Sequence, residues 1–359
     1  MEVKIANRYE INGSFNIDAL KLVREYRGIT QKELSENLQI EQGTLSKIEK
    51  GILSTNKPLV DKISNFLDFP EDIFFQEIKK QAYDFYYKRN FAASVKQMKQ
   101  NFAEMTMAAW HLSLLMDEVE LPSINLPSWD IEVDGAPNRC ADYLRSYWRT
   151  PNDRIINLSK ILEDNGIVII PLNLTSMDGY SQWMDGVMPI IFINKRLFPE
   201  DFRFVLAMEL GHLIMHYGKK INPERNIKEE AIQFAKEFLM PEFIFKTYCS
   251  SISLEKLADL KLYFRLSMQV ILKNARTIQK ITENQYRYIL KQMTNLGYQK
   301  REPVILSKEQ PMLLKEILNF YMQDLGYSKS ELAGVLKLTE RELDYMYFDK
   351  LRLIKSGGI

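Results

Sequence analysis

Glu209, His212 and His216 crowd into one apolar run, RFVLAMELGHLIMH (203–216), and Glu229 and Glu230 open a second, EEAIQFAKEFLMP (229–241). On a helix, residues three and four apart share a face. Met208, His212 and His216 therefore form a row, with Glu209 beside it. Metal-assisted hydrolysis calls for two imidazoles at i and i+4, a Glu after the first as general base, and a third ligand from elsewhere. The base, the second imidazole and a downstream carboxylate are present. The first imidazole is not, because the motif H-E-x-x-H reads Met208-Glu209-Leu210-Gly211-His212. A neutral thioether is a poor ligand for Zn²⁺, and two ligands hold a metal far more weakly than three. Without metal no bound water is brought near neutrality, and Glu209 has nothing activated to deprotonate. His212 and His216 make a fresh i,i+4 pair, but Glu209 then precedes both.

The elements that must position these groups are legible around them. Spacing predicts helices over Phe202–Tyr217 and Lys228–Leu239. The short apolar runs at 166–171 and 189–194, with 178–183 between them, read as three strands. Residues 155–165 and 139–149 read as amphipathic helices. A longer helix with a broad apolar face is expected over Phe102–Val119, with His111 as a structural histidine. Residues 121–127 form a loop with two prolines. A small sheet backed by the helix that carries the motif is the layout of zincins.

The landmarks ADYLRSYW, the stretch 157–166, GYS at 179–181, IFIN at 191–194, RFVLAMELGHLIMH and EEAIQFAKEFLMP resemble the ImmA/IrrE family, also called the DUF955 domain. The resemblance covers about residues 139 to 241. It implies a zinc-binding fold in which HELGH supplies two ligands and the base, and the Glu opening E-A-x-x-F-A supplies the third ligand. Carried over, Glu209 is the catalytic base position, His212 and Glu230 are metal positions, and Met208 stands at the lost ligand. Glu229 is a neighbour that could take the place of Glu230, and His216 matches a family position without being a ligand. Ile232 stands where the family often has a polar residue. No cofactor is expected, zinc entering only if the reduced ligand set still holds it. The cleft near Tyr180, Trp183, Glu209, His212 and Glu230 is expected to bind a protein or small-molecule partner.

Toward the start of the chain, Gly28 ends one helix, and Thr30 with Glu33 forms a capping box for the next. Leu34 and Leu38 face inward on that helix. A third helix runs from Gln42 to Lys50, with Leu45 and Ile48 inward, and stops at Gly51. Leu59, Ile63, Phe66 and Leu67 mark a fourth. Two short helices joined by a tight turn inside a bundle is the helix-turn-helix arrangement. The string ITQKELSENLQIEQGTLSKIEKG resembles the XRE (Cro/C1-type) family of DNA-binding domains. That resemblance implies Gln31 on phosphate, with Gln42, Thr44 and Lys47 on the outward face of the recognition helix. Gln pairs with adenine and Lys with guanine or phosphate, and Ser46 adds a hydroxyl. Glu41 and Gly43 weaken that face. Operator DNA is the expected partner and a homodimer the expected state.

Near the end, GYSKSELAGVLKLTERELDYMY lines up with the earlier helix-turn-helix string, Gly326 matching Gly28 and Ser328-x-x-Glu331 repeating the capping box. Glu340, Glu342 and Asp344 on its second helix would repel phosphate. The segment is therefore expected to face protein, in dimerisation or docked on the zincin-like domain.

The chain has 359 residues, 46% hydrophobic and 26% charged, with a formal net charge of +1. That is an ordinary globular composition, and no global field draws it onto nucleic acid, so DNA contact must be local. The two cysteines form neither a ligand pattern nor a disulfide framework, which suits the cytoplasm. No apolar run spans a bilayer. Basic and aromatic residues interleave from Tyr83 to Phe91, read as helix packing rather than single-strand binding.

The fold class expected is mainly α with a small β-sheet (α+β). Residues 1–76 form an all-α helix-turn-helix bundle, 77–127 a helical connector, 128–300 a zincin-like α+β domain and 301–359 a C-terminal helical segment. The function expected is a DNA-binding transcriptional regulator with a catalytically inactive ImmA/IrrE-like domain as sensor or partner platform. The alternatives are a site-specific zinc metallo-endopeptidase cleaving a repressor or antitoxin, and an antitoxin-like autorepressor.

Overall fold

The computed structural model describes residues 14–79, 94–249 and 251–348. The aromatic stretch from Tyr83 to Phe91 and the terminal KSGGI lie outside the described residues. Helices α1 (Ile17–Tyr26), α2 (Gln31–Leu38), α3 (Gln42–Glu49), α4 (Lys57–Leu67) and α5 (Val95–Leu115) come first. They are followed by α6 (Ile131–Asp134), α7 (Pro137–Tyr147) and α8 (Leu158–Asp164), then strands β1 (Val168–Leu172), β2 (Gly179–Met184) and β3 (Met188–Asn194). After the strands come α9 (Pro199–Met215), α10 (Ile227–Leu239), α11 (Glu242–Tyr248), α12 (Leu254–Phe264), α13 (Met268–Thr277) and α14 (Glu283–Asn295). The last are α15 (Leu313–Asn319), α16 (Lys329–Val335) and α17 (Glu340–Tyr347). This is the α+β class expected from the sequence. The chain packs into two compact units, one built from residues up to 120 together with those from 315 onward, the other from 121 to 314.

In the first unit, local chemistry sets the helix ends. Asn16 caps α1 by accepting from the Asp18 and Ala19 amides, and Gly28, at φ +66°, lets the chain turn away. Thr30 and Glu33 close a full capping box on α2, and Asn56 caps α4. Leu20, Val23, Leu34, Leu38, Leu45 and Ile48 meet in the bundle core. On α4 the inward face is Val60, Ile63 and Leu67. The sequence reading had included Leu59 and Phe66, but Phe66 stays exposed because the 3.6-residue repeat carries the buried stripe through Val60 instead. Helix α5 runs from a Ser94–Gln97 capping box through the expected apolar stretch from Phe102 and ends at Leu115.

The C-terminal segment repeats the helix-turn-helix pattern, with the Ser328–Glu331 capping box in place on α16. The fully buried Glu342 accepts from Arg27 Nη1 at 2.5 Å and from the Tyr26 hydroxyl. Arg341 pairs with Asp68. The acidic start of α17 thus docks against the ends of α1 and α4. Carboxylates there also complement the positive end of α17's own dipole.

In the second unit, three strands form a mixed sheet in the order β1-β3-β2. Central β3 runs parallel to β1, with Ile169 opposite Ile191, and antiparallel to β2, with Ser181 opposite Ile191. Ile169, Ile191 and Ile193 share a core with Leu206, Leu210 and Ile214 of α9 and with Phe234 and Phe238 of α10. Burying each such side chain stabilises the fold by about 1.5–3 kcal/mol. Helices α9 and α10 approach closely at Gly211, where a Cβ would lie 2.8 Å from the Phe234 ring.

Candidate functional site

On the first unit, the exposed Gln42 and Lys47 project from α3, while Thr44 and Ser46 are half-buried. Gln31 is turned partly inward. Its amide donates to Glu49 Oε2 at 2.7 Å, and Glu49 is gripped by Arg24 through Nε at 2.6 Å and Nη2 at 3.0 Å. This buried brace fixes the start of α2 against the end of α3, and with it the angle at which α3 is presented. Gln31, Lys32 and Gln42 line one cavity with Lys96 and Lys99 of α5, two cations that motif reading did not reach.

On the second unit, the motif residues meet at one end of α9. Successive strand residues point to opposite faces. Gly179 and Ser181 of β2 both turn toward Glu209, where a Cβ on Gly179 would come within 3.1 Å of Glu209 Cγ. The Ser181 hydroxyl donates to Glu209 Oε2 at 2.7 Å. Burial pushes the Glu209 carboxyl up to about 7, against the Ser181 bond that lowers it. A carboxyl so placed is poised between acid and base near neutrality.

The His212 and His216 rings are tilted at 55° with centroids 4.9 Å apart, and their Nδ1 atoms lie 2.8 Å from each other. His216 Nε2 lies 2.8 Å from Glu230 Oε2. Arg225 closes the chain, its Nε on Glu230 Oε1 and its Nη2 on Oε2, both at 2.9 Å. Burial holds His212 well below its ordinary range and His216 down to about 4, so both rings are neutral at pH 7. Burial alone would raise Glu230, but its bonds to Arg225 and His216 outweigh that and hold it low. The proton positions follow from these contacts. His216 donates from Nε2 to the Glu230 carboxylate, its Nδ1 must accept, and the proton between the rings therefore sits on His212 Nδ1. Glu230 reaches His212 through His216. Trp183 is half-buried and accepts at its carbonyl from the Tyr217 hydroxyl at 3.0 Å. Tyr180 is buried.

Family comparison supports both halves of this description. Residues 20–74 match the family described as helix-turn-helix, and residues 162–276 match the family described as IrrE N-terminal-like domain. The chain joins these two domains in that order. No curated protein matches the chain. No helix among the described residues is long and apolar enough to cross a membrane.

Zinc is the metal the IrrE-like fold implies, and the donors at this site do not fit it. Met208, half-buried against the core, offers a thioether at the first ligand position. Both oxygens of Glu230 are taken by Arg225 and His216, and the His212 and His216 Nδ1 atoms face each other across a hydrogen bond. Among the described residues no group of three or more His, Cys, Asp or Glu side chains is placed to hold a metal ion. Two partners in the IrrE-like domain escaped the sequence reading. Ser181 was visible only as part of the GYS landmark. Arg225 sits in a polar loop with no periodicity to mark it.

Proposed function

We propose that this chain is a DNA-binding regulator that acts in the cytoplasm as a homodimer, reading an operator through α3. Its IrrE-like domain no longer hydrolyses and serves as a sensor or docking platform. The observation that supports the second half is the closed chain His212–His216–Glu230–Arg225 beside Met208. Glu209 itself is held by the Ser181 hydroxyl. The first half rests on a capped, braced helix-turn-helix with Gln42 and Lys47 exposed on its reading face. A ligand that favours one state of the IrrE-like domain would shift operator affinity by the ratio of its affinities for the two states.

Operator selection from random duplexes, followed by gel shift, tests the reading. Gln42→Ala with Lys47→Ala abolishes specific binding while circular dichroism stays unchanged. Unaltered affinity in that double variant removes α3 as the reading helix. The retained Glu209 and His212 favour one competing function, a metallo-endopeptidase that cleaves a repressor or antitoxin. Stoichiometric zinc in the purified chain, with proteolysis lost on chelation, would establish that function instead.

A further inference from the structure

Glu230 stands at the position that the family resemblance assigns to a metal ligand. Here the partner of that carboxylate is a guanidinium. Arg225 lies in the loop that enters α10, and the loop is tied down locally. Its amide donates to Asn222 O at 3.0 Å, Asn222 Oδ1 receives the Glu224 amide at 3.1 Å, and Asn226 caps α10 by accepting from the Glu229 amide at 3.1 Å. The backbone on both sides of Arg225 is thereby fixed, and the side chain reaches Glu230 as a two-bond fork. Glu132 of α6 stands 3.8 Å from Nη1 as a second, outer acid. A bidentate guanidinium takes both carboxylate oxygens in a planar geometry that an ammonium cannot copy.

We propose that the Arg225 guanidinium is the resident cation of this site, holding against Glu230 the place a metal ion would take. This rests on the reading that the domain carries no working zinc centre, and it goes further by naming what fills the electrostatic role. The Arg225–Glu230 pair is half-buried, so losing one partner leaves the other's charge only partly compensated by solvent, and the carboxylate is best matched by a cation. A divalent ion approaching Glu230 would meet a positive charge already bonded to both oxygens. It would also have to break the His216 bond and turn the paired imidazoles. The missing imidazole at position 208 is therefore one of two obstacles to metal, and restoring it alone does not reopen the site.

The full chain and its Met208→His, Arg225→Gln and Met208→His/Arg225→Gln variants would be loaded with zinc and washed. They would then be assayed for retained metal by elemental analysis and for thermal stability. Wild type and Met208→His retain no stoichiometric zinc. The double variant retains it, with an affinity roughly tenfold or more above that of Met208→His, the scale on which partners of metal ligands act. Arg225→Gln alone melts below wild type and is not rescued by zinc. Met208→His holding zinc as tightly as the double variant, or a folded double variant that takes none, overturns the role of Arg225. Zinc held by wild type overturns the non-hydrolytic reading as well. Should the glutamine variants fail to fold, Met208→His/Arg225→Met removes the charge while keeping an apolar stem of similar length. It still binds zinc more tightly than Met208→His if the proposal holds, and equal affinity sinks it.

Discussion

All three histidines of this chain are buried, and each is therefore neutral at pH 7 for the same reason. An imidazolium taken out of water loses its hydration, and the proton leaves first. His111 shows the consequence away from the motif. Its Nδ1 lies 2.7 Å from the Tyr347 hydroxyl, and burial pulls it from 6.5 down to about 3. The unfolded chain takes up this proton below pH 6.5 and the folded chain does not. Stability therefore falls as pH drops below that value, by about 1.4 kcal/mol per pH unit, until the folded ring itself titrates near 3. His111→Phe is expected to flatten that acid slope in urea melts taken from pH 7 to 4, at some cost at neutral pH for the orphaned tyrosine. A parallel slope in both proteins would show that His111 does not contribute. At this scale the sequence points to Met208 and Glu209 through the motif they share with His212, and the structure buries Glu209 beside Ser181. The sequence did not show that Arg225, five residues before Glu230, grips that carboxylate, because a loop residue's direction is set by its turn and not by a repeat.

Among the described residues, four helices start at capping boxes. Thr30 with Glu33, Ser94 with Gln97, Thr282 with Gln285 and Ser328 with Glu331 all close capping boxes. Such signals involve residues three apart and survive any packing. Burial faces depend on what lies opposite, which is why α4 turns Val60 inward and leaves Phe66 exposed. The crossing of α9 and α10 is another packing decision. Alanine in place of a helical glycine ordinarily gains about 1 kcal/mol. At Gly211, however, the added methyl would press on Phe234 at 2.8 Å, an overpacking that costs about 1–3 kcal/mol. Gly211→Ala is therefore expected to be destabilising on balance, read as a lower denaturation midpoint at unchanged slope. A raised midpoint would show that Phe234 swings aside freely.

Across the whole molecule, two segments far apart in sequence build one unit. Residues from 315 onward join those up to 120, and Glu342 is the buried group on which that union turns. Glu342→Ala takes the nearer carboxylate from Arg27, a guanidinium only 10% exposed, leaving Asp68 at 3.7 Å, and is expected to cost about 3 kcal/mol. Hydrogen exchange should quicken in α1, α4 and α17 while α9 and α10 keep their protection. Equal rates everywhere would mean the C-terminal segment holds nothing in place.

The sequence by itself determined the capping boxes at Thr30 and Ser328, the order of the two domains and the thioether that stands at position 208. Each of these is written in neighbouring residues or in a repeat. Only the tertiary structure decided that Glu342 meets Arg27, that Ser181 meets Glu209, and that Arg225 and His216 share Glu230. Those contacts join separate elements, and an ion pair or hydrogen bond between elements depends on distance in space, for which spacing along the chain supplies no measure.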